Sequence, residues 1–326
     1  YKHSGCPANP AHIVLTASSS ESYNLLFQTF TDQGDNILLP LPGYPLFEDL
    51  CRYNHLEPRF YPLNEASGWQ PDLDVLDSLA DDRTRFVVLI SPNNPCGSVL
   101  GNAELTAILD LCQRHELMMI CDEVFSAFLY DLETLPRPAA ENCQHPDSDQ
   151  VPVFTINGIS KLFACPDLKL SWILCTGPQQ STTLPTVQEI VQELELRNDT
   201  FLNCNSFTQF MLPELFAQGG SFITGMVASL AANRDFLREK LNPALPPGAR
   251  LVLPAGGIHC LICFSRYQVE NDEALAISLL DHGLYLHPGY LYGMDDQPAL
   301  VLSLLKAPDE FACGIQRLAE ALSALL

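Results

Sequence analysis

The chain has 326 residues, of which 47% are hydrophobic and 17% are charged, a composition typical of a folded globular protein. At roughly 150 residues per domain, this length predicts about two domains with a sizeable core and excludes a peptide or a disulfide-stapled mini-protein. The 17 Lys and Arg residues face 39 Asp and Glu residues, and the net charge of -22 argues against a protein that binds nucleic acid or a membrane. A small molecule is therefore the expected partner.

The first half of the chain alternates apolar runs, which predict buried strands, with amphipathic stretches, which predict helices. The predicted strands are residues 12–16, 36–39, 85–90, 117–121, 153–156 and 170–175. The predicted helices between them include residues 22–30, 73–79 and 103–114. Continuous apolar strands separated by helices favour an α/β fold with a mostly parallel sheet sandwiched by helices. Ligands of such sheets bind at the carboxyl ends of the strands.

The second half of the chain predicts a smaller α+β domain. Its predicted helices are residues 185–197, 200–216, 222–241 and 273–280, followed by a final helix. Its main predicted strands are residues 249–253, 258–264 and 299–304. We place the boundary near residue 218, so that residues 1–218 form a large domain and residues 219–326 a small C-terminal domain. Residues 137–150 are turn-prone and acidic, and we expect a surface loop there.

Twelve cysteines are scattered along the chain, and only Cys260 and Cys263 form a close CxxC pair. The pair lies in an apolar run, where strand alternation points the two sulfurs to opposite sides, and no second pair with zinc spacing accompanies it. We therefore expect no metal site and interpret the cysteines as buried thiols of a reducing cytoplasm. No apolar stretch reaches the roughly 20 residues that span a bilayer, and no leader pattern opens the chain.

Three segments at predicted strand ends carry reactive side chains. Residues 91–97 read Ser-Pro-Asn-Asn-Pro-Cys-Gly and offer amide donors in a tight turn. Asp122 ends the next strand, where a partly buried carboxylate needs a cationic partner, although it also suits a helix cap. Lys161 and Lys169, two of only five lysines, lie in an apolar segment. A desolvated lysine can attack an aldehyde, whereas a lone lysine more often extends to the surface.

A fourth segment, residues 16–22, joins the first predicted strand to the first predicted helix. Its three serines supply backbone N–H groups, hydroxyls and the positive end of a helix dipole, which suit a phosphate. An ordinary helix N-cap is the competing interpretation.

The order of these motifs resembles the class I/II aminotransferases of fold type I, pyridoxal phosphate (PLP) enzymes of the aspartate aminotransferase superfamily. The His-Pro-Gly-Tyr segment at 287–290 is similar to alanine-aminotransferase-like proteins. The resemblance covers nearly the whole chain and implies transfer of an amino group from an amino acid or amine donor to a 2-oxo acid. It also implies a homodimer with active sites at the subunit interface, and a family N-terminal segment that precedes Tyr1.

The resemblance assigns roles to individual residues of this sequence. Lys161 matches the catalytic lysine that forms a Schiff base with PLP and moves the Cα proton. Asp122 matches the carboxylate that keeps the pyridine nitrogen protonated. Asn94 matches the amide that binds the phenolic oxygen of the ring, and Tyr44 matches the aromatic residue stacked on it. The phosphate-binding positions are Lys169, Ser18, Ser19 and Ser20.

Four positions depart from the family pattern. Lys169 replaces an arginine, which preserves the charge but loses the bidentate fork. Phe125 replaces a tyrosine that shares the contact with the ring oxygen. Gly158 replaces a serine that often supports the phosphate. Val301 replaces the arginine that clamps the substrate α-carboxylate.

With Val301 in place of the clamp arginine, the class of substrate is an open question. A bidentate arginine fixes the reacting bond over the cofactor, and valine cannot do so. His259 and His287 are possible substitutes, although lone histidines near strands are more often structural. An aminotransferase is the leading hypothesis. The alternatives are a PLP-dependent lyase, decarboxylase or condensing enzyme on a non-standard substrate, and a non-catalytic binding module with the PLP fold.

Overall fold

The fold is known from a computed structural model that describes residues 8–130, 135–146, 150–200 and 204–326. Cys6 and residues 201–203, the latter inside one predicted helix, lie outside the described residues. An eight-stranded sheet forms the body of the larger part of the molecule. Its strands are β1 (Ile13–Thr16), β2 (Asn36–Leu41), β3 (Glu57–Asn64), β4 (Gln70–Pro71), β5 (Thr84–Ile90), β6 (Met118–Asp122), β7 (Val153–Gly158) and β8 (Ser171–Thr176).

The strand order β1-β8-β7-β6-β5-β2-β3-β4 confirms the predicted mostly parallel sheet. Strands β3, β2, β5, β6 and β7 run parallel to one another, whereas β4 pairs antiparallel with β3 at one edge. At the other edge β8 lies between β7 and β1 and is antiparallel to both. Alternate residues of β5 enter different cores, with Phe86 and Val88 on one face and Val87 and Leu89 on the other. Burial of both faces explains why these strands are continuous apolar runs.

Helices cover both faces of the sheet. The helices of this part are α1 (Ser19–Phe30), α2 (Leu46–Tyr53), α3 (Leu73–Leu79), α4 (Asn102–Arg114), α5 (Pro138–Asn142), α6 (Ile159–Leu162), α7 (Val187–Thr200) and α8 (Ser206–Gln218). Helix α1 begins where the Ser18 Oγ accepts the backbone N–H of Glu21 at 3.1 Å, an N-cap bond. Its inner face buries Tyr23, Leu26 and Phe27 against the sheet.

A smaller antiparallel sheet forms the core of the C-terminal part. It has the order β11-β12-β10-β9. The strands are β9 (Arg250–Val252), β10 (His259–Cys263), β11 (His287–Pro288) and β12 (Ala299–Ser303), and the helices are α9 (Gly220–Phe236, continued as a π-helix over Leu237–Leu241), α10 (Asp272–Asp281) and α11 (Pro308–Leu325). Cys260 and Cys263 belong to different hydrophobic cores, which confirms that their side chains leave β10 on opposite faces.

Three differences from the sequence prediction are informative. Strands β3 and β4 and helix α2 were not predicted, because prolines interrupt β3, β4 has only two residues, and α2 begins without a side-chain N-cap. The surface loop predicted for residues 137–150 is wrong over Pro138–Asn142, which form α5. The Asn142 side chain is buried and makes two hydrogen bonds with the backbone of Val151, at 2.8 and 3.1 Å. The domain boundary near residue 218 stays a prediction.

Among the described residues, no single helix is long and apolar enough to cross a bilayer. Helix α8 together with residues Gly220–Ala244 passes by length and composition only as a pair bent by 68°.

Gly97 connects the loop after β5 to the segment that precedes β10. Its φ is +67°, and a Cβ added there would lie 2.1 Å from the Cβ of Pro254. Its carbonyl accepts the backbone N–H groups of Ala255 and Gly256 at 2.9 and 3.0 Å. The loop that carries Asn94 is therefore held directly against the small domain.

We expect Gly97→Ala to lower the free energy of unfolding by about 2–4 kcal/mol, because the methyl group adds a backbone clash to left-handed strain. Urea unfolding would measure this loss. Gly68→Ala is the matched control, since Gly68 has φ +75° but no atom within 4 Å of an added Cβ. Strain alone should cost the control about 1–2 kcal/mol, and equal losses in both variants would contradict the prediction.

Candidate active site

Three of the loops that carry predicted site residues leave the large sheet at the carboxyl ends of its parallel strands. Ile90 pairs with Asp122 and Asp122 pairs with Ile156, all in parallel register. The segments that follow β5, β6 and β7 therefore emerge side by side at the carboxyl ends of these strands. They contain Asn94, Asp122 and Lys161, respectively.

Strand β8, which is antiparallel to both of its neighbours, brings the remaining segments to the same place. Gly158 at the end of β7 pairs with Ser171 at the start of β8, and Ser171 pairs with Thr16 at the end of β1. Lys169 lies just before β8, and Ser18 lies just after β1. The predicted phosphate-binding residues thus lie at the same end of the strands as Lys161, although they are distant in sequence.

Asp122 is a buried acid at the carboxyl end of β6, and 8% of the residue is exposed. Its Oδ1 accepts the backbone N–H of Val124 at 3.0 Å, and its Oδ2 accepts the hydroxyl of Tyr23 at 3.1 Å. Burial raises the pKa of Asp122 to about 6, while these two donors and the charge of Lys161 act in the opposite direction. No basic side chain among the described residues forms an ion pair with it.

The adjacent acid, Glu123, has a different environment. It is fully buried and forms an ion pair with Arg137. Asp122 and Glu123 are neighbours at a strand end, yet only Glu123 has a protein cation as its partner. The site therefore holds a buried carboxylate that a positively charged ligand group can neutralise.

The two asparagines of the loop after β5 have different environments. The Asn93 Oδ1 accepts the N–H of Cys96 at 3.1 Å and its backbone pairs with Ser98, so this residue shapes the turn. Asn94 is also buried, but its Oδ1 has no hydrogen-bond partner among the described residues. An unpaired buried amide is costly unless a ligand satisfies it.

Tyr44 lies at the mouth of the site and is 45% exposed. The turn before it is tight, because a Cβ on Gly43 would lie 2.3 Å from the carbonyl oxygen of Pro40. The Tyr44 ring meets the Phe47 ring edge to face at 6.1 Å. Partial burial, followed by the negative charge of Asp122, raises the pKa of Tyr44.

The serines have unequal roles at the start of α1. The Ser18 hydroxyl caps the helix, as the alternative interpretation predicted, and the Glu21 carboxylate accepts the N–H of Ala17. Ser19 and Ser20 open the helix, and their hydroxyls have no hydrogen-bond partner in the described part of the chain. Lys161 and Lys169 are both exposed, and Lys169 has a left-handed backbone with φ +48°.

The small domain contributes a wall that contains Val301, His259 and His287. His287 pairs with Val301, Val301 pairs with Leu261, and His259 pairs with Ser303, so these side chains share one face of the four-stranded sheet. Val301 is 4% exposed and belongs to the same core as Cys96 of the loop after β5.

Both histidines contact aromatic rings. His259 meets Phe125 edge to face at 6.3 Å, and the Nδ1 of His287 lies 3.0 Å from the Tyr292 hydroxyl. Burial, followed by the charges of Lys161 and His287, lowers the pKa of His259 to about 4, so it is neutral at pH 7. The only Lys or Arg in the strands of this sheet, Arg250, forms an ion pair with Glu65.

Two departures acquire a structural reason. A Cβ on Gly158 would lie 2.3 Å from the Ser171 Oγ and 3.0 Å from the Leu170 carbonyl oxygen, so a serine at 158 would require the Ser171 side chain to move. Phe125 is 4% exposed and packs in the core of the small domain, which a tyrosine hydroxyl would disturb. Sequence reasoning missed Tyr23, because a tyrosine on the inner face of a helix looks like any other core residue.

The architecture is that of the fold type I aminotransferases. The solved alanine aminotransferase from Pyrococcus furiosus superposes with a TM-score of 0.88 at 23% identity, covering 99% of this chain and 79% of that one. This likeness confirms the predicted fold class of a PLP-type large domain with a smaller C-terminal domain.

The chain belongs to the aminotransferase class I and II family, whose description matches residues 1–304. Alanine aminotransferase of Mycobacterium bovis is 29% identical over 276 residues, which are 82% of this chain and 60% of that protein. Nicotianamine aminotransferase 1 of Oryza sativa subsp. japonica is 31% identical over 296 residues, 86% of this chain and 56% of that protein. The chain thus spans less than two thirds of the length of these relatives. Members of the family use PLP.

The raised pKa of Asp122 predicts a pH-dependent stability. An unfolded aspartate titrates near pH 3.9, so the buried group favours folding most at low pH, and this contribution is lost as the pH rises to about 6. We expect Asp122→Asn, in protein stripped of cofactor, to raise the free energy of unfolding by about 2 kcal/mol near pH 8, with no difference near pH 4. Urea unfolding across this pH range would measure both proteins.

Asp77→Asn is the control of opposite sign. His115, followed by Arg114, lowers the pKa of Asp77, so its ionised form is favoured by folding. This variant should not gain stability at high pH. A parallel pH dependence of the two variants would contradict the role of burial at Asp122.

Proposed function

We propose that this chain binds PLP and transfers an amino group from an amino acid or amine donor to a 2-oxo acid. The observation that carries the proposal is the buried Asp122 carboxylate, which no basic side chain of the described residues pairs with and which lies within the electrostatic reach of Lys161. A pyridine ring that carries a proton on its nitrogen is the cation that such a site requires.

The residues at the sheet edge fit the cofactor. Asp122 would hold the proton of the ring nitrogen, and Tyr44 would lie against the ring. The Asn94 amide lacks a partner, and rotation of its side chain presents an N–H donor that would bind the phenolic oxygen. The phosphate would bind to the exposed cation Lys169 and to the start of α1, where Ser18, Ser19 and Ser20 lie.

The cofactor, when bound, supplies an aldehyde that takes up the amino group and a ring that withdraws electrons from the adjacent carbon. Lys161 would bind that aldehyde and, once displaced by the donor, would move the proton at the donor Cα. Asp122 would keep the ring nitrogen protonated throughout, since a pKa of about 6 leaves the carboxylate ionised at pH 7. The Lys161 side chain is exposed and lies on the one-turn helix α6, which leaves its amine accessible to substrate.

A second candidate function is favoured by Val301. Val301 is apolar and His259 is neutral at pH 7, so neither of these residues of the small-domain wall supplies a formal charge for a substrate carboxylate. A PLP-dependent lyase, decarboxylase or condensing enzyme is therefore the alternative. A non-catalytic binding module has less support, because it has no chemical use for Lys161 beside Asp122.

We expect Lys161→Ala to abolish covalent retention of PLP and to slow conversion of donor to oxo product by about 10²–10⁴-fold, because the proton-transfer group is lost. Borohydride reduction followed by peptide mass spectrometry locates the attachment. Lys306→Ala is the control, since Lys306 is exposed and pairs only with Glu310, at 3.4 Å. Attachment at another lysine in the wild-type protein would overturn the assignment.

A panel of donors separates the reactions. The PLP-loaded protein is mixed with amino acids and with amines that lack a carboxylate, and the products are analysed. Stoichiometric pyridoxamine phosphate supports amino transfer. Release of ammonia or carbon dioxide without pyridoxamine phosphate supports the alternative, and no product from any donor supports the binding module.

We propose further that the protein is a homodimer of the cytoplasm. Only Thr208 of α8 is buried, while Phe207, Phe210 and Phe216 are 68%, 85% and 54% exposed. Phe216 also packs against Trp172, so this apolar surface continues into the segment that holds Lys161. A surface of this kind on a folded protein favours a protein partner, and a second copy would bring two sites together. The free cysteines of the described residues favour a reducing compartment.

We expect Phe210→Glu to weaken the dimer by about tenfold or more, since it places a charge in the centre of the apolar surface. Sedimentation equilibrium over a range of protein concentrations would measure the change. Tyr267→Glu is the control, because Tyr267 is fully exposed but lies outside this surface. A wild-type protein that stays monomeric at every concentration would exclude the homodimer.

A further inference from the structure

We infer that Tyr23 is a positioning residue, whose hydroxyl keeps the Asp122 carboxylate ionised and aimed at the ring nitrogen of the cofactor. The inference rests on the proposed function, because it concerns the cofactor that Asp122 would hold. Tyr23 acts through Asp122 and is not itself placed in contact with the reacting atoms.

The geometry fixes the carboxylate from two sides. The Tyr23 hydroxyl donates to Oδ2 at 3.1 Å, and the Val124 N–H donates to Oδ1 at 3.0 Å. Each carboxylate oxygen has two lone pairs, so Oδ2 can accept the Tyr23 hydroxyl and still accept a ring N–H. The two donors thus orient Asp122 without occupying all of its acceptor capacity.

Packing holds the Tyr23 ring in the required position. The ring is 3% exposed and lies between Phe27, at 6.1 Å, and Phe47, whose ring it meets edge to face at 5.2 Å. Phe47 in turn packs against Tyr44. Tyr23 therefore couples α1, which begins at the serines, to the carboxylate and to the residue that would lie on the cofactor ring.

The electrostatics make the Tyr23 hydroxyl the hydrogen-bond donor in its contact with Asp122. Burial raises the pKa of Tyr23 well above its ordinary value, so the group remains an O–H donor throughout the neutral range. Burial also raises the pKa of Asp122, and the Tyr23 hydroxyl is among the contacts that lower it. Without that donor, Asp122 takes up a proton at higher pH and holds the proton of the ring nitrogen less well.

Other titratable groups surround this pair. They are Lys161 on α6, Tyr44 in the loop after β2, Cys121 on β6 and Tyr61 on β3. Replacement of Tyr23 by phenylalanine removes none of them. A change in Asp122 or in the cofactor therefore reports on the one hydroxyl.

Tyr23→Phe has a matched control in Tyr61→Phe. Tyr61 is 1% exposed, and its hydroxyl donates to the backbone carbonyl of Val88 at 2.7 Å. Both substitutions delete one buried, hydrogen-bonded hydroxyl and retain the ring. Only the first deletes a bond to Asp122, so a general effect of a lost core hydroxyl should appear in both variants.

The experiment uses the full chain loaded with PLP that carries ¹⁵N in its ring. The ¹⁵N chemical shift measures protonation of the ring nitrogen across a pH series. We expect Tyr23→Phe to lower the proton-binding constant of the ring nitrogen by about tenfold and the affinity for PLP by about tenfold. Tyr61→Phe should change neither quantity. In an Asp122→Asn background, Tyr23→Phe should add no further change, because the acceptor is gone.

A second arm tests the same pair without cofactor. Carboxyl ¹³C shifts of labelled aspartate, with Asp122→Asn to assign the signal, give the pKa of Asp122 directly. We expect Tyr23→Phe to raise it and Tyr61→Phe to leave it unchanged.

The outcomes separate the two proposals. A wild-type protein that binds no PLP would overturn the proposed function and the cofactor role of Tyr23. Binding of PLP with identical ¹⁵N titrations of wild type and Tyr23→Phe would overturn the positioning role alone. An unchanged Asp122 pKa in Tyr23→Phe would likewise overturn it, and equal shifts in both tyrosine variants would assign the effect to core packing.

Discussion

The burial of one carboxylate, that of Asp122, is the constraint around which the site is arranged. Ionising an acid away from water is unfavourable, and proteins offset this cost with donors or cations. The neighbouring Glu123 has Arg137 as its cation. Among the described residues, Asp122 has two hydrogen-bond donors and the more distant charge of Lys161. In the described part of the chain, Asp122 therefore has donors but no ion-pair partner, unlike Glu123.

The strand order explains how this acid meets residues far away in sequence. Parallel strands bring the ends of β5, β6 and β7 to one edge, so Asn94, Asp122 and Lys161 follow one another across the sheet. Strand β8 is antiparallel to both of its neighbours, and for this reason its beginning lies beside the end of β7 and the end of β1. That reversal places Lys169 among loops that otherwise follow strands. The antiparallel pair is thus as necessary to the site as the parallel ones.

Much of this arrangement follows from the sequence, and the exceptions have physical reasons. Strand β5 could be predicted, since both of its faces are buried and its residues are continuously apolar. Strand β3 could not, because two prolines interrupt its pattern. In the sequence, Lys161 and Asp122 stand out as charged residues beside apolar runs, although the fold leaves Lys161 exposed. Tyr23 does not, because its contact with a residue 99 positions away depends on the tertiary fold.

The remaining question is how a donor is recognised on a wall that carries little charge. His259 is neutral because burial and Lys161 oppose its protonation, and Val301 offers only apolar surface. A substrate carboxylate that approached this wall would gain a positive partner there only if His259 took up a proton, and burial and the charge of Lys161 oppose that protonation. A donor side chain without charge would approach Val301 and the neutral imidazole of His259 at no such cost. If the proposed function holds, this side of the site would recognise a donor by shape and hydrogen bonding rather than by charge.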